Sequence, residues 1–201
     1  FGEMILAISE LEVVAESDPT VVINEFFFRA TSGTSVPDYV ELHNFGEEDV
    51  NLSGWTLNGD PLSGTIPAGG YLLVAGEDAF FNADGDELYA GEDIPNSVSV
   101  DINLSTSSDE IVLVDGNGVE IDLVAYNDDD GWMVGNDYRG HALELMNPSL
   151  DNNDPTSWAS VSDDCESDLL YGEDGSDEEL ANFGSPTEEN CSYDESLEIE
   201  D

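Results

Sequence analysis

Short apolar runs, alternating or wholly apolar, punctuate this chain between Gly, Asn, Asp and Pro, and helical periodicity is scarce. The clearest runs fall at 21–28, 39–44, 52–57, 71–75, 98–104, 110–114, 119–126 and 142–146. Eight short runs with turn signals between them predict an all-β sandwich or barrel. Asp115-Gly116-Asn117-Gly118 joins two of them and predicts a tight hairpin, because Asn and Gly accept positive φ at little cost. In 119–126 the residues Val119, Ile121, Leu123 and Ala125 alternate with Glu120, Asp122 and Val124. That alternation predicts an inward odd-numbered face and a largely wet even-numbered one.

The composition supports a folded body: 39% hydrophobic and 9% aromatic residues are enough for a core. The charge then changes the picture. Asp and Glu number 48 against two arginines and no lysine, a formal net charge of −46 on 201 residues. A folded chain of this mass exposes about 9,200 Å², so each carboxylate sits on the order of 14 Å from the next. Repulsion over that distance is tolerable at the ~3 Å screening length of 1 M salt and costly in dilute buffer. Nucleic acid and anionic membrane surfaces are excluded as partners, since both are held by the Lys and Arg this chain lacks. Cations, and surfaces bridged by cations, remain, with a halophilic setting one way to supply them.

Several motifs in order resemble a known family. They are Val21-Val22-Ile23-Asn24-Glu25, Asp38-Tyr39-Val40-Glu41-Leu42-His43-Asn44, Asn51-Leu52-Ser53-Gly54-Trp55-Thr56-Leu57 and Ile66-Pro67-Ala68-Gly69-Gly70-Tyr71-Leu72. Further along come Ser108-Asp109-Glu110-Ile111-Val112-Leu113, Gly140-His141-Ala142-Leu143-Glu144-Leu145 and Asp151-Asn152-Asn153-Asp154-Pro155 before Trp158. Together they resemble a lamin tail domain of the prokaryotic secreted type over about residues 20–160, with a closing remnant at Gly184-Ser185-Pro186. The resemblance implies an immunoglobulin-like β-sandwich that serves interaction rather than catalysis. Trp55 is expected to plug the core and Trp158 to cap one open end.

The ends depart from that family. A start at Phe1 predicts a processed, secreted protein whose signal peptide is gone. Residues 1–19 form an N-terminal extension ahead of a sandwich at 20–162. Its apolar run Met4-Ile5-Leu6-Ala7-Ile8 is too short to span a membrane. Met4, Ile5, Leu6 and Ile8 therefore belong to a strand that completes its own sandwich or is donated to the next subunit. Residues 163–201 carry sixteen carboxylates and no base. Cys165 and Cys191 lie there, and in a secreted chain a disulfide between them would contribute ~2–4 kcal/mol, the alternative being two inert thiols.

Oxygen ligands are plentiful, and calcium is the cofactor that fits them, as a hard cation taking oxygen donors. Asn82, Asp84 and Asp86 at alternate positions, with Asp93 eleven residues after Asn82, echo a calcium loop, although Glu87 stands where such a loop needs Gly. Asp128, Asp129 and Asp130 form a second cluster, and Asp151, Asn153 and Asp154 a third. Solvated loops, Asx turns and caps account for the same spacings. His43 and His141 lie in or beside strand-like runs without a serine elbow, cysteine nucleophile or zinc spacing, so no catalytic residue is assigned. The sequons at Asn51, Asn103 and Asn190 matter only if the source glycosylates.

These readings converge on an extracellular, non-enzymatic, self-associating subunit of a filament or surface layer, stabilised by divalent cations. The alternative is a monomeric calcium-dependent adhesion or carbohydrate-binding module of a larger surface protein. The charge generates the first prediction. Moving from about 10 mM salt with chelator to about 1 M NaCl, or to millimolar calcium, should raise the melting temperature by about 5–10 °C, at ~2–4 °C per kcal/mol. Coincident melting points across those buffers would defeat it.

Overall fold

The computed structural model describes residues 20–32, 34, 36–82, 84, 86–161, 164–171 and 182–197. Its fourteen strands are β1 (Val21–Phe27), β2 (Tyr39–Asn44), β3 (Val50–Asn51), β4 (Thr56–Leu57), β5 (Asp60–Pro61), β6 (Thr65–Ile66), β7 (Tyr71–Ala75), β8 (Phe80–Phe81), β9 (Glu87–Leu88), β10 (Ser97–Ser99), β11 (Ser108–Val114), β12 (Glu120–Asn127), β13 (Leu143–Leu145) and β14 (Trp158–Ser160). A six-stranded sheet in the order β10-β7-β2-β1-β13-β14 packs on a four-stranded sheet in the order β12-β11-β4-β5. The fold is an immunoglobulin-like all-β sandwich.

The six-stranded sheet is buried on both faces. Toward the second sheet it sends Ile23, Phe26, Val40, Leu42, Val74 and Leu143, which join Leu57, Ile111, Leu113, Val124 and Tyr126 in the main core. Phe26 lies at its centre, stacked on Tyr126 with centroids 5.1 Å apart and edge-on to Trp158 at the same distance. Away from the second sheet, Phe27, Tyr39, Leu73 and Ala75 form another core with Phe80, Ile94, Val161 and Leu170. The covering layer there includes chain from 164–171 and 182–193.

A bulge in β1 makes that arrangement possible. The pairing with β2 runs Ile23↔Leu42 and then Glu25↔Glu41, leaving Asn24 as the extra residue. Inward positions therefore switch from odd (Val21, Ile23) to even (Phe26), and Glu25 is set on the same face as Phe27.

Three expectations need correction. Strand β12 buries Val124 and Tyr126 and half-buries Asp122, whereas Val119 is 56% exposed, so the wet and dry faces are the reverse of those predicted. Ile121, the unpaired residue of a second bulge, nevertheless packs on the core. Asp122 sits on the buried face because its Oδ2 accepts hydrogen bonds from Ile23 N and Asn152 Nδ2, both at 2.6 Å, which ties β12 to β1 across the sandwich. The run 52–57 is mostly a turn with Trp55 only half-buried, so Leu52 is the plug. Trp158 lies inside the core and donates from Nε1 to Asn152 O at 2.7 Å. The expected hairpin is present, with the Asp115 side chain accepting from Asn117 N and Val119 N, and Gly118 at φ 81°.

Asp122→Ala would orphan the Ile23 N–H and leave the Asn152 amide only its bond to Ile23 O at 3.3 Å, and should lower stability by about 1–3 kcal/mol, read as a shifted urea midpoint. Asp122→Asn should recover only part, because its NH₂ sets a donor against donors. An unchanged midpoint in the alanine variant would sink this account.

Candidate functional site

Three glutamates occupy neighbouring positions on the outer face of the six-stranded sheet. Glu25 on β1 is the cross-strand partner of Glu41 on β2 and of Glu144 on β13. Cross-strand partners hold their Cβ atoms roughly 5 Å apart. All three are 0% exposed. Three carboxylates this close and this dry cannot all be ionised.

The C-terminal segment closes over them. Each glutamate takes one backbone N–H from it: Ser185 N donates to both Glu25 oxygens at 3.2 Å, Thr187 N to Glu41 Oε2, and Ser192 N to Glu144 Oε2 at 2.7 Å. Tyr39 Oη also donates to Glu25 Oε1, and Asn24 Nδ2 to Glu41 Oε1 at 3.0 Å. Ser185 Oγ lies 2.9 Å from Glu25 Oε2 and 2.7 Å from Glu144 Oε1. A hydroxyl has one proton, so satisfying both contacts places a second proton on a carboxyl, which donates to Oγ.

Electrostatics agrees with that geometry. Burial, and next the Glu144 charge, push the Glu25 carboxyl up to about 8, against the pull of its bonds from Tyr39 and Ser185. Burial and then Glu25 raise Glu41 well above the ordinary carboxyl range, and burial and Glu25 likewise raise the Tyr39 phenol.

Local chemistry fixes the closing segment. Cys191 is bonded to Cys165, a separation of 26 residues. A Cβ on Gly184 would lie 2.5 Å from Glu25 Oε1 and 2.6 Å from Tyr39 Oη, so the segment approaches the glutamates only with glycine there. Asn190 donates from Nδ2 to Leu145 O at 2.8 Å and accepts from Asn24 Nδ2 at 2.7 Å. Its amide is thereby committed inside the protein, which removes the Asn190 sequon as an accessible acceptor. Among the described residues every buried side-chain nitrogen and oxygen has a hydrogen-bond partner. The arrangement is a polar staple closed to substrate.

The acidic clusters singled out in the sequence lie elsewhere, in exposed turns. Asn82 Oδ1 accepts from Asp84 N and Asp86 N, and Asp93 Oδ2 accepts from Tyr89 N. Asn127 bridges Asp129 N and Asp130 Oδ2, beside Asp128. Asp151 Oδ1 accepts from Asn153 N, Asn153 Oδ1 from Ala125 N, and Asp154 caps the 3-10 turn Pro155–Ser157 through Thr156. Among the described His, Cys, Asp and Glu side chains, three ligand atoms converge within 4.8 Å at Glu144, Cys165 and Cys191. Those two sulfurs are bonded to each other and offer no thiolate. Met4, Ile5, Leu6 and Ile8 lie outside the described residues.

Glu25, Glu41 and Glu144 were missed as a group because 48 acids hide any three. A signal was present: each interrupts a strand-like apolar run, as in Val40-Glu41-Leu42 and Leu143-Glu144-Leu145, where a wet face was not to be expected.

The comparisons with known proteins agree with this architecture. A family model for the lamin tail domain matches residues 15–128, more than half of the chain. This is an immunoglobulin-like domain family of structural or protein-interaction type rather than an enzyme family. The movement and RNA silencing protein VP6 of Rice ragged stunt virus (isolate Thailand) is 29% identical over 65 residues, covering 32% of this chain. The aligned part is 11% of that relative's length.

The buried carboxyls make stability fall with rising pH. Glu25 has a folded value near 8 against an ordinary 4.5, so its protonated form favours the fold fully below about 4.5, and that contribution is lost as pH climbs to about 8. In 1 M salt the melting temperature should decline from pH 5 to pH 8, and Glu25→Gln, which cannot ionise, should flatten that slope. Equal slopes in both proteins would overturn the assignment.

Proposed function

We propose that this chain, which belongs to the lamin tail domain family, is a secreted structural subunit that associates with copies of itself, with divalent cations between its acidic surfaces. The observation that carries the reading is the Cys165–Cys191 bond, which pins the C-terminal segment over the buried glutamates. Structural disulfides of this kind persist in oxidising compartments outside the cytosol. The charge of −46 makes like surfaces repel, so contact between copies needs cations, and calcium suits the carboxylate supply. The roles in the name of the viral relative are not carried over, since two arginines and no lysine against 48 acids give phosphate little to bind.

Strand donation is the mode of association favoured by the edges. On the four-stranded sheet, β5 ends in Pro61, and the outer side of β12 is occupied by Asn153 at Ala125 N and by the Asp122 link to β1. Among the described residues, the edges of these two sheets left for an incoming strand are β10 and β14 of the six-stranded sheet. Met4, Ile5, Leu6 and Ile8 supply the apolar side chains, and burial of Met4, Leu6 and Ile8 would contribute ~1.5–3 kcal/mol each.

A second reading, a monomeric calcium-dependent adhesion or carbohydrate-binding module of a larger surface protein, draws on an aromatic-lined cavity beside His43 and Tyr71. Size separates the two. Light scattering of the intact chain in about 1 M NaCl with millimolar calcium should give large assemblies. Leu6→Asp should leave a folded monomer of unchanged circular dichroism, and chelator should disperse the assemblies. A wild-type monomer under all conditions would favour the module, and assembly undisturbed by Leu6→Asp would refute strand donation.

A further inference from the structure

Beyond the three glutamates, the outer face of the six-stranded sheet ends in rings. Along β2 the outward residues are Tyr39, Glu41 and His43, and His43 pairs in register with Tyr71 of β7. The two rings stack with centroids 4.4 Å apart at 19°, and Phe45 meets His43 at 6.5 Å and 62°. Glu189, Tyr193 and Asn147 complete a cavity of about 430 Å³, within the size range of small-ligand pockets. Three large hydrophobic side chains are exposed among the described residues, and two of them, Phe45 (41%) and Tyr193 (38%), line this cavity. On a surface this charged, such a convergence is not produced by solubility.

We propose that this cavity binds a small organic cation of the quaternary ammonium class, with the Phe45, Tyr71 and Tyr193 rings around the methylated head and Glu189 as counter-charge. Its lining holds no Lys or Arg, and a net charge of −46 concentrates cations and repels anions at its mouth. The amides that would read sugar hydroxyls are already used. Asn24 and Asn190 bond to each other, while Asn147 Oδ1 accepts from Ser149 N and Oγ and its Nδ2 donates to Asp194 O. Beside those amides the lining offers aromatic rings, the neutral His43 imidazole, tyrosine hydroxyls and a carboxylate, and rings with a carboxylate are the chemistry that recognises a poorly hydrated cation over sodium. Burial holds His43 down to about 4, so the imidazole at the cavity floor is uncharged at neutral pH and does not repel the ligand. Tyr71 is kept protonated, pushed up to about 12 by burial, then by Glu41, Glu189 and Tyr193.

Choline and its neutral carbon isostere, 3,3-dimethylbutan-1-ol, are the probes, titrated into the disulfide-intact full chain at constant ionic strength and followed by calorimetry. Choline should bind at least about tenfold more tightly than the isostere. Tyr193→Ala and Glu189→Gln should each weaken choline by about tenfold while the circular dichroism of the folded chain is retained, and Glu189→Gln, at an exposed position, should leave the melting temperature unchanged. Tetramethylammonium should compete and excess sodium should not. Equal affinity for choline and the isostere, binding insensitive to both substitutions, or saturable binding of neutral oligosaccharides with none of choline would each overturn the proposal.

Discussion

Three carboxyl groups side by side in a dry interior are the constraint on which the rest of this structure depends. Glu25, Glu41 and Glu144 sit on adjacent strands of one sheet face, each fully buried. Left unsatisfied, each group would cost several kcal/mol. The C-terminal segment answers with one backbone N–H for each, from Ser185, Thr187 and Ser192, and retained protons supply the rest. Other features follow from that need. The Asn24 bulge turns Glu25 toward the segment, Gly184 lets the segment approach, and the Cys165–Cys191 bond holds it in place. The described parts of what looks like an acidic appendix in the sequence, 164–171 and 182–197, therefore form a covering layer over the outer face of the six-stranded sheet.

The surface and the interior act on the carboxyls in the same sense. A chain of 48 acids, most of them outside the core, is a poor place to release a further proton, and burial makes Glu25 and Glu41 poorer still. Salt relieves the first effect by screening and barely touches the second, since buried pairs are little screened. The two contributions are thus separable in principle. Ionic strength governs whether the acidic shell tolerates compactness, while proton occupancy governs whether the staple closes. A protein built this way spends its polar chemistry inside on holding itself together, which fits an interaction family better than a catalytic one.

The sheets were legible where burial on both faces left little choice. The run 39–44, anchored by Tyr39, Val40 and Leu42, and the continuously apolar run 71–75 coincide with β2 and β7, because short apolar stretches with β-branched and aromatic residues between turn signals favour buried strands. The hairpin at 115–118 was legible for a different reason, since its turn chemistry is local. The face of β12 was not legible, because Asp122 looks solvated until the N–H of Ile23, 99 residues away, arrives to claim it. Nor were the glutamates, whose role depends on three strands and a distant segment that no local pattern links. Conversely, the clusters at Asn82, Asp128 and Asp154 drew attention, yet Asn82, Asn127 and Asp154 accept from the backbone of their own turns and Asn153 from Ala125 N of β12.

One sheet face orders the whole functional argument. Along β2 the outward side chains pass from Tyr39 in the second core, through Glu41 under the closing segment, to His43 at the aromatic cavity. The same segment that satisfies the glutamates carries Glu189 and Tyr193 into that cavity, flanking the disulfide at Cys191. The cavity therefore exists only while the staple is closed. Opening of the segment would remove both together, since regions sharing one set of hydrogen bonds open as one cooperative unit. Carboxyls buried in a staple can thus set the state of a surface they never reach, and the energetic link runs through the backbone of residues 185–193.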